Sequence, residues 1–334
     1  MIVEPQSTQA SPVTTTIFID EKPVPVPRPG RWVAVVVLIV LVAWGVYTLG
    51  FEKIQRGTQM QTRFGWEIVG QYFLTPNILN GLLVTLELTA AAMVIGIVGG
   101  IVLAVMRLST NPILSSASAL YIWLFRGTPV LVQLLLWYNL SYMFPQINLG
   151  IPFGPTFVSL NANTMITPFL AALLGLGLHE AAYMCEIVRA GILSVDEGQE
   201  EAAQSLGMSR RKTMLRIILP QAMKVIIPPT GSQTIGMLKM SSLASVITVV
   251  ELLRSVQLIY ASTYDTIPLL IVASLWYLVV TSILTVGQYY VERHYSRGSS
   301  RNQPLTPVQR LRRMFGDFHP GVREIRSNPQ GGQS

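Results

Sequence analysis

Residues 194–220 read SVDEGQEEAAQSLGMSRRKTMLRIILP, a polar segment that lies between two apolar ones. Ser194 and Glu197 have the S-x-x-E spacing of a capping box, which predicts that a helix begins there. Gly207 is expected to end that helix, because glycine readily adopts the left-handed backbone conformation. Ser209 is expected to cap the next helix. The segment is therefore predicted to form two helices joined by a tight turn.

The second of these helices begins with cations. Cations beside an apolar span mark the cytoplasmic side of a membrane. The cluster comprises Arg210, Arg211, Lys212 and Arg216. We therefore expect the loop to be cytoplasmic. A polar helix of about ten residues is only marginally stable in water. It is expected to be held by docking against another surface.

The composition indicates an integral membrane protein. The 334 residues are 50% hydrophobic and 12% charged, and the mean hydropathy is +0.46. Soluble domains carry about 25% charged residues. Several apolar runs reach the ~20 residues that a transmembrane helix needs, which predicts an all-α membrane protein. The net charge of +7 is assigned to membrane orientation and not to nucleic acid. Cys185 is the one cysteine in the sequence, which excludes an intrachain disulfide.

About six transmembrane helices are predicted, with both termini cytoplasmic. The spans cover residues 32–50, 79–106, 117–143, 165–193, 222–250 and 266–291. The fifth span carries Pro228-Pro229, Gly231 and Gly236 and is expected to be interrupted. It is expected to line a pathway, because backbone breaks at membrane depth are tolerated there. The division is a Pro-rich tail (1–31), an extra N-terminal helix (32–50), an extracytoplasmic segment (51–78), a five-helix core (79–291) and a basic tail (292–334). Residues 144–164 and 251–265 are expected to lie outside the membrane on the extracytoplasmic side. Gly96, Gly99 and Gly100 in the second span are expected to permit close helix packing.

The spacing within the opening loop carries a family resemblance. Glu201-Ala202-Ala203 is followed after three residues by Gly207, and after nine more by Ile217, one residue and Leu219-Pro220. This pattern resembles the signature loop of permease subunits in binding-protein-dependent ABC importers. The resemblance implies a coupling helix that sits in a cleft of a separate cytoplasmic ATPase. Ala202 and Ala203 would allow close approach, and Glu200 and Glu201 would offer charge.

Three other pieces are similar to polar amino acid permeases of bacteria. They are Arg126-Gly127-Thr128-Pro129 with Gln133, the stretch AAYMCEIVRAGI at residues 181–192, and LKMSSLASVI at residues 238–247. The resemblance covers residues 79–291. It implies a translocation pathway formed by two permeases, which are either identical or different. It also implies an extracytoplasmic solute-binding protein and a location in the bacterial inner membrane.

The third piece departs from the pattern at Met240. An acidic or amide residue commonly stands there in this group. If the position helps to hold a cationic side chain, arginine-like substrates are disfavoured. Neutral, acidic or sulfur-containing amino acids, and derivatives such as opines, stay open.

Charged residues within the spans are candidates for the substrate pathway, because a charge inside a membrane is costly and faces the bundle interior. Residues of the pieces that carry the family resemblance are added to them. The candidates are Glu87, Arg126, Gln133, Glu186, Lys239, Met240, Ser241 and Ser242. Glu186 and Arg189 lie three residues apart and either pair with each other or contact substrate. Glu87 either reaches the interface or serves the pathway. His179 is expected to be a packing histidine.

No catalytic or metal-binding cluster is expected, since the three histidines are His179 and two in the C-terminal tail. The chain is predicted to bind no cofactor, with ATP and Mg²⁺ on the partner ATPase. A membrane enzyme is therefore disfavoured. The remaining alternative is an ATP-independent carrier or channel, which would leave the signature loop unexplained.

Overall fold

A computed structural model describes residues 29–56, 59–150 and 156–295. Most of the predicted N-terminal tail and of the basic C-terminal tail lies outside the described residues. The chain separates into two units, residues 1–64 and residues 65–334. The second unit thus begins within the predicted extracytoplasmic segment 51–78.

The first unit contains the predicted N-terminal helix. Helix α1 is Pro29–Gly50, and its apolar part, Val33–Thr48, exposes most of its side chains, as a lipid-facing helix does. Strands β1 (Lys53–Arg56) and β2 (Gln59–Thr62) follow and pair in antiparallel register. The hairpin was not predicted. Arg63 and Glu52 form an ion pair of 2.9 Å beside it.

The second unit is mainly helical. Its elements are α2 (Trp66–Tyr72), α3 (Pro76–Arg107), α4 (Pro112–Gly127), α5 (Val130–Tyr138), α6 (Leu140–Met143), β3 (Gln146–Gly150), β4 (Thr156–Asn161), α7 (Ala162–Met165), α8 (Pro168–Leu193), α9 (Glu197–Ser205), α10 (Arg210–Thr213), a π turn (Met214–Ile218), α11 (Leu219–Met240), a 3-10 helix (Ser241–Ile247), α12 (Leu252–Thr263) and α13 (Thr266–Tyr295). The antiparallel pair of β3 and β4 occupies the predicted outside loop 144–164. The helical membrane class is confirmed.

Three described helices, α3, α8 and α13, are long and apolar enough to cross a membrane. Two further spans are bent pairs, α4 with α5 at 101° and residues 210–247 with α12 at 46°. The described part of residues 65–334 thus holds up to five spans by length and composition. The total of six stays a prediction. The third predicted span is not one continuous helix, because Pro129 forces Thr128 into an extended conformation.

The fifth span is interrupted, but not at Pro228-Pro229, Gly231 or Gly236. Helix α11 continues through both prolines, and the interruption comes later, at residues 248–251. Gln288 of α13 donates its side-chain amide to the Pro228 carbonyl at 3.2 Å, which joins this part of α11 to α13. At the real break, Thr248 takes a left-handed conformation with φ of 65°.

Close contact between α3 and α8 forms the centre of the unit. A Cβ added to Gly96 would lie 2.5 Å from Cγ of Glu180, and one on Gly99 would lie 2.9 Å from Cβ of Ala181. One on Gly100 would collide with Met184. The prediction that these glycines permit close packing is confirmed. The main buried clusters lie around this pair, including Leu88, Leu134 and Leu176.

Candidate functional site: the cytoplasmic loop and the polar residues of the spans

The start of α9 is capped by Asp196 and not by Ser194. Oδ1 of Asp196 accepts a hydrogen bond from the Gly198 N–H at 2.9 Å. Ser194 instead ends α8, and its hydroxyl donates to the Gly191 carbonyl at 2.7 Å. The capping-box prediction is therefore wrong in its residue, because α8 extends to Leu193 and uses Ser194 for its own end. The acidic Glu197 and Glu200 lie in the first turn of α9, where the helix dipole favours them.

The end of α9 is a Schellman motif centred on Gly207. The Gly207 N–H donates to the Gln204 carbonyl at 2.9 Å, and the Met208 N–H donates to the Ala203 carbonyl at 3.1 Å. Gly207 has φ of 73°, which confirms the predicted left-handed turn. Ser209 stands at the N-cap of α10, but its side chain makes no capping hydrogen bond. Both ends of α9 are thus defined locally.

The exposed surface of α9 is acidic and small. Glu200, Glu201 and Ala202 are exposed. Oε1 of Glu200 accepts from the Gln204 amide at 3.1 Å, and the Glu201 carboxylate bonds to no other described residue. Ala203 is only 4% exposed. The prediction that Ala203 allows a partner to approach is therefore wrong, because its small side chain packs against the chain itself.

The loop is joined to α11 without an interruption of the helix. α10, the π turn and α11 follow one another directly, so Leu219 and Pro220 lie inside one long helical segment. Gln221 donates its side-chain amide to the Ile217 carbonyl at 3.0 Å and to the Gln199 side chain of α9 at 3.5 Å. α9 and α11 are thus in contact through these two glutamine side chains as well as joined along the chain.

Gln133 holds the bend between α4 and α5. Its Nε2 donates to the Phe125 carbonyl at 2.9 Å, to the Thr128 carbonyl at 3.1 Å and to Thr128 Oγ1 at 2.7 Å. Gln133 is buried, and its Oε1 contacts no other described polar group. The Arg126–Pro129 segment and Gln133 therefore lie together in the structure, because the Gln133 side chain donates hydrogen bonds to the C-terminal end of α4.

Arg126 and His179 lie near this bend. The Arg126 guanidinium sits 5.0 Å from the ring centroid of Tyr183 on α8, a cation–π contact. His179 is buried and contacts the same Tyr183 ring, with 5.0 Å between centroids. This packing agrees with the expectation for His179.

Glu186 and Arg189 pair with each other. Arg189 Nη2 lies 2.8 Å from Glu186 Oε2, and Nε lies 3.2 Å from the same oxygen. Both side chains remain partly exposed, at 28% and 35%. Of the two readings left open by the sequence, the pairing is therefore observed, and a substrate contact stays a prediction.

Glu87 and Lys239 are exposed charges on apolar helices. Neither side chain makes a hydrogen bond or ion pair with another residue of the described ranges. Lys239 lies in the last turn of α11, and no break at Gly236 precedes it. The neighbouring hydroxyls of Ser241 and Ser242 donate to the Leu238 and Lys239 carbonyls, both at 2.7 Å. Met240 is half-buried against the α3–α8 core.

Glu251 is a buried residue that sequence reasoning placed in an outside segment. It is 0% exposed and caps α12, where its carboxylate accepts from the N–H groups of Leu253 at 2.9 Å and Arg254 at 2.7 Å. Tyr277 of α13 donates to the same carboxylate. Thr85 of α3 accepts from the Leu252 N–H at 3.0 Å. No local pattern reveals this site, because its members come from three separated helices.

Residues 96–297 match the family described as "Binding-protein-dependent transport system inner membrane component". The chain is 45% identical over 280 residues to the arginine transport system permease protein ArgU of Corynebacterium glutamicum, covering 83% of this chain and 84% of ArgU. It is 35% identical to the L-cystine transport system permease protein TcyB of Bacillus subtilis, covering 71% of this chain and 93% of TcyB.

A solved structure supports the same relationship. A chain in the crystal structure of an amino acid ABC transporter with histidines is 37% identical to this chain, with a TM-score of 0.57. The match covers 69% of this chain and 97% of that chain. A chain of the MetNI methionine ABC transporter, at 17% identity and a TM-score of 0.52, has the same fold.

Proposed function

Because this chain belongs to the family of binding-protein-dependent transport system inner membrane components, we propose that it forms the translocation pathway of an ATP-driven importer for an amino acid or an amino acid derivative. The chain is an integral inner membrane protein with a permease role and is itself a non-catalytic subunit. In the proposed assembly it pairs with a second permease, two ATPase subunits and an extracytoplasmic solute-binding protein.

The observation that carries the coupling role is the construction of α9. A helix of nine residues is capped at both ends, exposes Glu200 and Glu201, and continues through one turn into the helical segment that contains α11. An exposed acidic helix that is fixed in this way suits docking into a cleft on another protein. We assign the ATPase contact to Glu200, Glu201 and Ala202. Gly207 and Leu219-Pro220 are proposed to take part in coupling by fixing the geometry of the loop, without touching the ATPase.

The proposed mechanism is a rigid-body one. The solute-binding protein docks outside, ATP closes the ATPase pair inside, and the motion of α9 turns the permeases outward to receive the substrate. ATP hydrolysis then returns them to release the substrate inside. ATP and Mg²⁺ are bound by the ATPase. This mechanism requires the loop 194–220 and both termini to be cytoplasmic.

The pathway residues are proposed from their placement. Exposed charges on apolar helices are costly in lipid, so Glu87 and Lys239 are expected to face a second permease or the pathway between the two copies. Met240, Ser241 and Ser242 lie beside Lys239 at the end of the same segment. Arg126, Gln133 and Glu186 are weaker candidates, because each already has a partner within the chain.

The substrate is proposed as a polar amino acid or a derivative of one. Relatives named for arginine, L-cystine and nopaline transport support this class. Met240 disfavours a cationic substrate, whereas the similarity to an arginine system favours one. An uptake screen of the full importer with its own binding protein, using arginine, cystine and glutamine, decides between them.

Binding of the ATPase discriminates this proposal from an ATP-independent carrier. The purified chain is expected to bind an ABC ATPase subunit, and Gly207→Asp is expected to weaken that binding, because a side chain at this position strains the left-handed turn after α9. Gly70→Asp is the control, since it places the same charge at an exposed glycine on α2. Failure of the unaltered chain to bind any such ATPase would favour the carrier.

A further inference from the structure

The helix that follows the loop contains one extra residue. The Leu219 N–H donates to the Met214 carbonyl, five residues back, where an α-helix would use a carbonyl four residues back. Such a π turn inserts a residue without ending the helix, and π turns are concentrated at functional sites. Each residue of an α-helix adds about 100° of rotation and about 1.5 Å of rise. The extra residue therefore changes the rotation of α10 and the loop before it about the helix axis, relative to α11.

The spacing of buried residues changes from four to five across the π turn, in agreement with one extra residue there. Ile218, Ala222 and Ile226 are buried at intervals of four, whereas Thr213 is buried five residues before Ile218. The face of α11 is fixed against α8, because a Cβ on Gly191 would collide with Ile226. Thr213 reaches its buried position only through the wider turn. The orientation of α10, and of the loop before it, depends on that turn.

Pro220 is the residue that disfavours an ordinary α turn here. Proline has no N–H, and its ring crowds the carbonyl four residues earlier, which is that of Arg216. Pro228 and Pro229 lie in the same helix without a π turn. A proline is therefore not sufficient to form a π turn. The second requirement is that Thr213 and Ile218, five residues apart, are both buried.

We propose that Pro220 is a positioning residue that holds the π turn at Met214–Ile218, and that this turn sets the rotational angle between α9 and α11. The proposal rests on the proposed function, in which α9 binds the ATPase. With the turn in place, a push on α9 moves α11 along the direction that opens the pathway. With an α-helical connection, α9 would be turned by about 100° relative to α11. The ATPase would still bind, but its movement would be misdirected.

The test compares two exposed prolines of one helical segment in the complete importer in liposomes. Pro220→Ala is expected to keep ATPase binding and ATP hydrolysis while the substrate transported per ATP falls by roughly tenfold, a usual size for a coupling effect. Pro229→Ala is expected to behave as the unaltered protein does. An unchanged transport-to-hydrolysis ratio in Pro220→Ala would overturn the proposal. Loss of ATPase binding by the unaltered chain would instead refute the proposed function.

A rescue variant keeps the test decisive if Pro220→Ala assembles poorly. Deletion of Leu215 together with Pro220→Ala removes the extra residue, so that Thr213 precedes Ile218 by four in an ordinary α-helix. Leu215 is 53% exposed, so the deletion removes no buried side chain. This variant is expected to recover coupling. A double variant that stays uncoupled would contradict the role of the angle.

The angle itself is measured with spin labels on Gln204→Cys and Val225→Cys in a Cys185→Ser background. Both labelled positions are exposed, one on α9 and one on α11. The distance between the labels is expected to change in Pro220→Ala and to return in the deletion variant. Equal distances in the Pro220→Ala and Pro229→Ala proteins would also overturn the proposal.

Discussion

The hydroxyl of Tyr277 donates a hydrogen bond to the carboxylate of Glu251, with 3.0 Å between the oxygens, in the interior of the helical unit. The same carboxylate accepts the N–H groups of Leu253 and Arg254. Buried carboxylates are tolerated only when their oxygens are hydrogen-bonded. Glu251 therefore joins the start of α12 to α13, at the point where the fifth span bends.

Removing the two partners is expected to have unequal effects. Tyr277→Phe deletes one of three donors and should lower the free energy of unfolding by about 1 kcal/mol. Glu251→Ala leaves two buried N–H groups without their acceptor and should lower it by about 3 kcal/mol. Denaturation of the purified protein in detergent measures both. Tyr290→Phe, an exposed tyrosine on the same helix, is the control and should change nothing.

Enlarging Gly100 is expected to separate α3 from α8. A Cβ there collides with Met184 and lies 2.9 Å from the backbone nitrogen of Cys185, which is not free to move aside. Gly100→Ala should therefore cost about 2 kcal/mol of stability by overpacking. Gly70→Ala, where an added Cβ meets nothing within 4 Å, is the control. Equal melting temperatures of the two variants would refute the close contact.

Gly207→Ala tests conformation without a change in packing. An added Cβ would meet nothing within 4 Å, but φ of 73° disfavours any residue with a Cβ by about 1 kcal/mol. The amides of α9 should then exchange their hydrogens faster. Gly287→Ala, also free of neighbours but inside a helix with ordinary φ, should leave exchange in α9 unaffected. Unaltered protection of α9 in Gly207→Ala would contradict the left-handed turn.

Substitution of Gln133 separates a structural role from a substrate contact. Gln133→Leu removes the donor shared by the Phe125 and Thr128 carbonyls and should lower stability by about 2 kcal/mol. The KM for uptake by the folded protein should stay unchanged. Thr128→Ser, which keeps the hydroxyl acceptor, is the matched control. A raised KM with unaltered stability would instead assign Gln133 to the substrate pathway.

Much of the loop was predictable because its signals are local. Gly207 was correctly predicted to end α9, since the conformational freedom of glycine is a property of one residue. The α-helical membrane class followed in the same way from runs of apolar residues. The cap at Ser194 was mispredicted, because two polar residues compete for the role and the length of α8 decides between them.

The candidate site residues were predictable in position but not in role. The RGTP and Gln pattern was located from the sequence, yet its hydrogen bonds exist only because α4 and α5 bend by 101° at Pro129. The sequence places Glu251 in an outside segment. Its role as a buried hydrogen-bond acceptor is not visible there, because that role exists only where α12 and α13 meet. Ala203 was assigned to a partner surface and is buried within the chain.

The amino-acid sequence by itself determined a helical membrane protein, the position of a polar helix between two apolar spans, and the glycine turn that ends this helix. These depend on the hydrophobicity and backbone freedom of neighbouring residues. The tertiary structure decided which residues cap, bend and orient those elements, including Asp196, Gln133 and the π turn before Pro220. The reason is that such roles require contacts between residues far apart in the chain, and only packing brings those residues together.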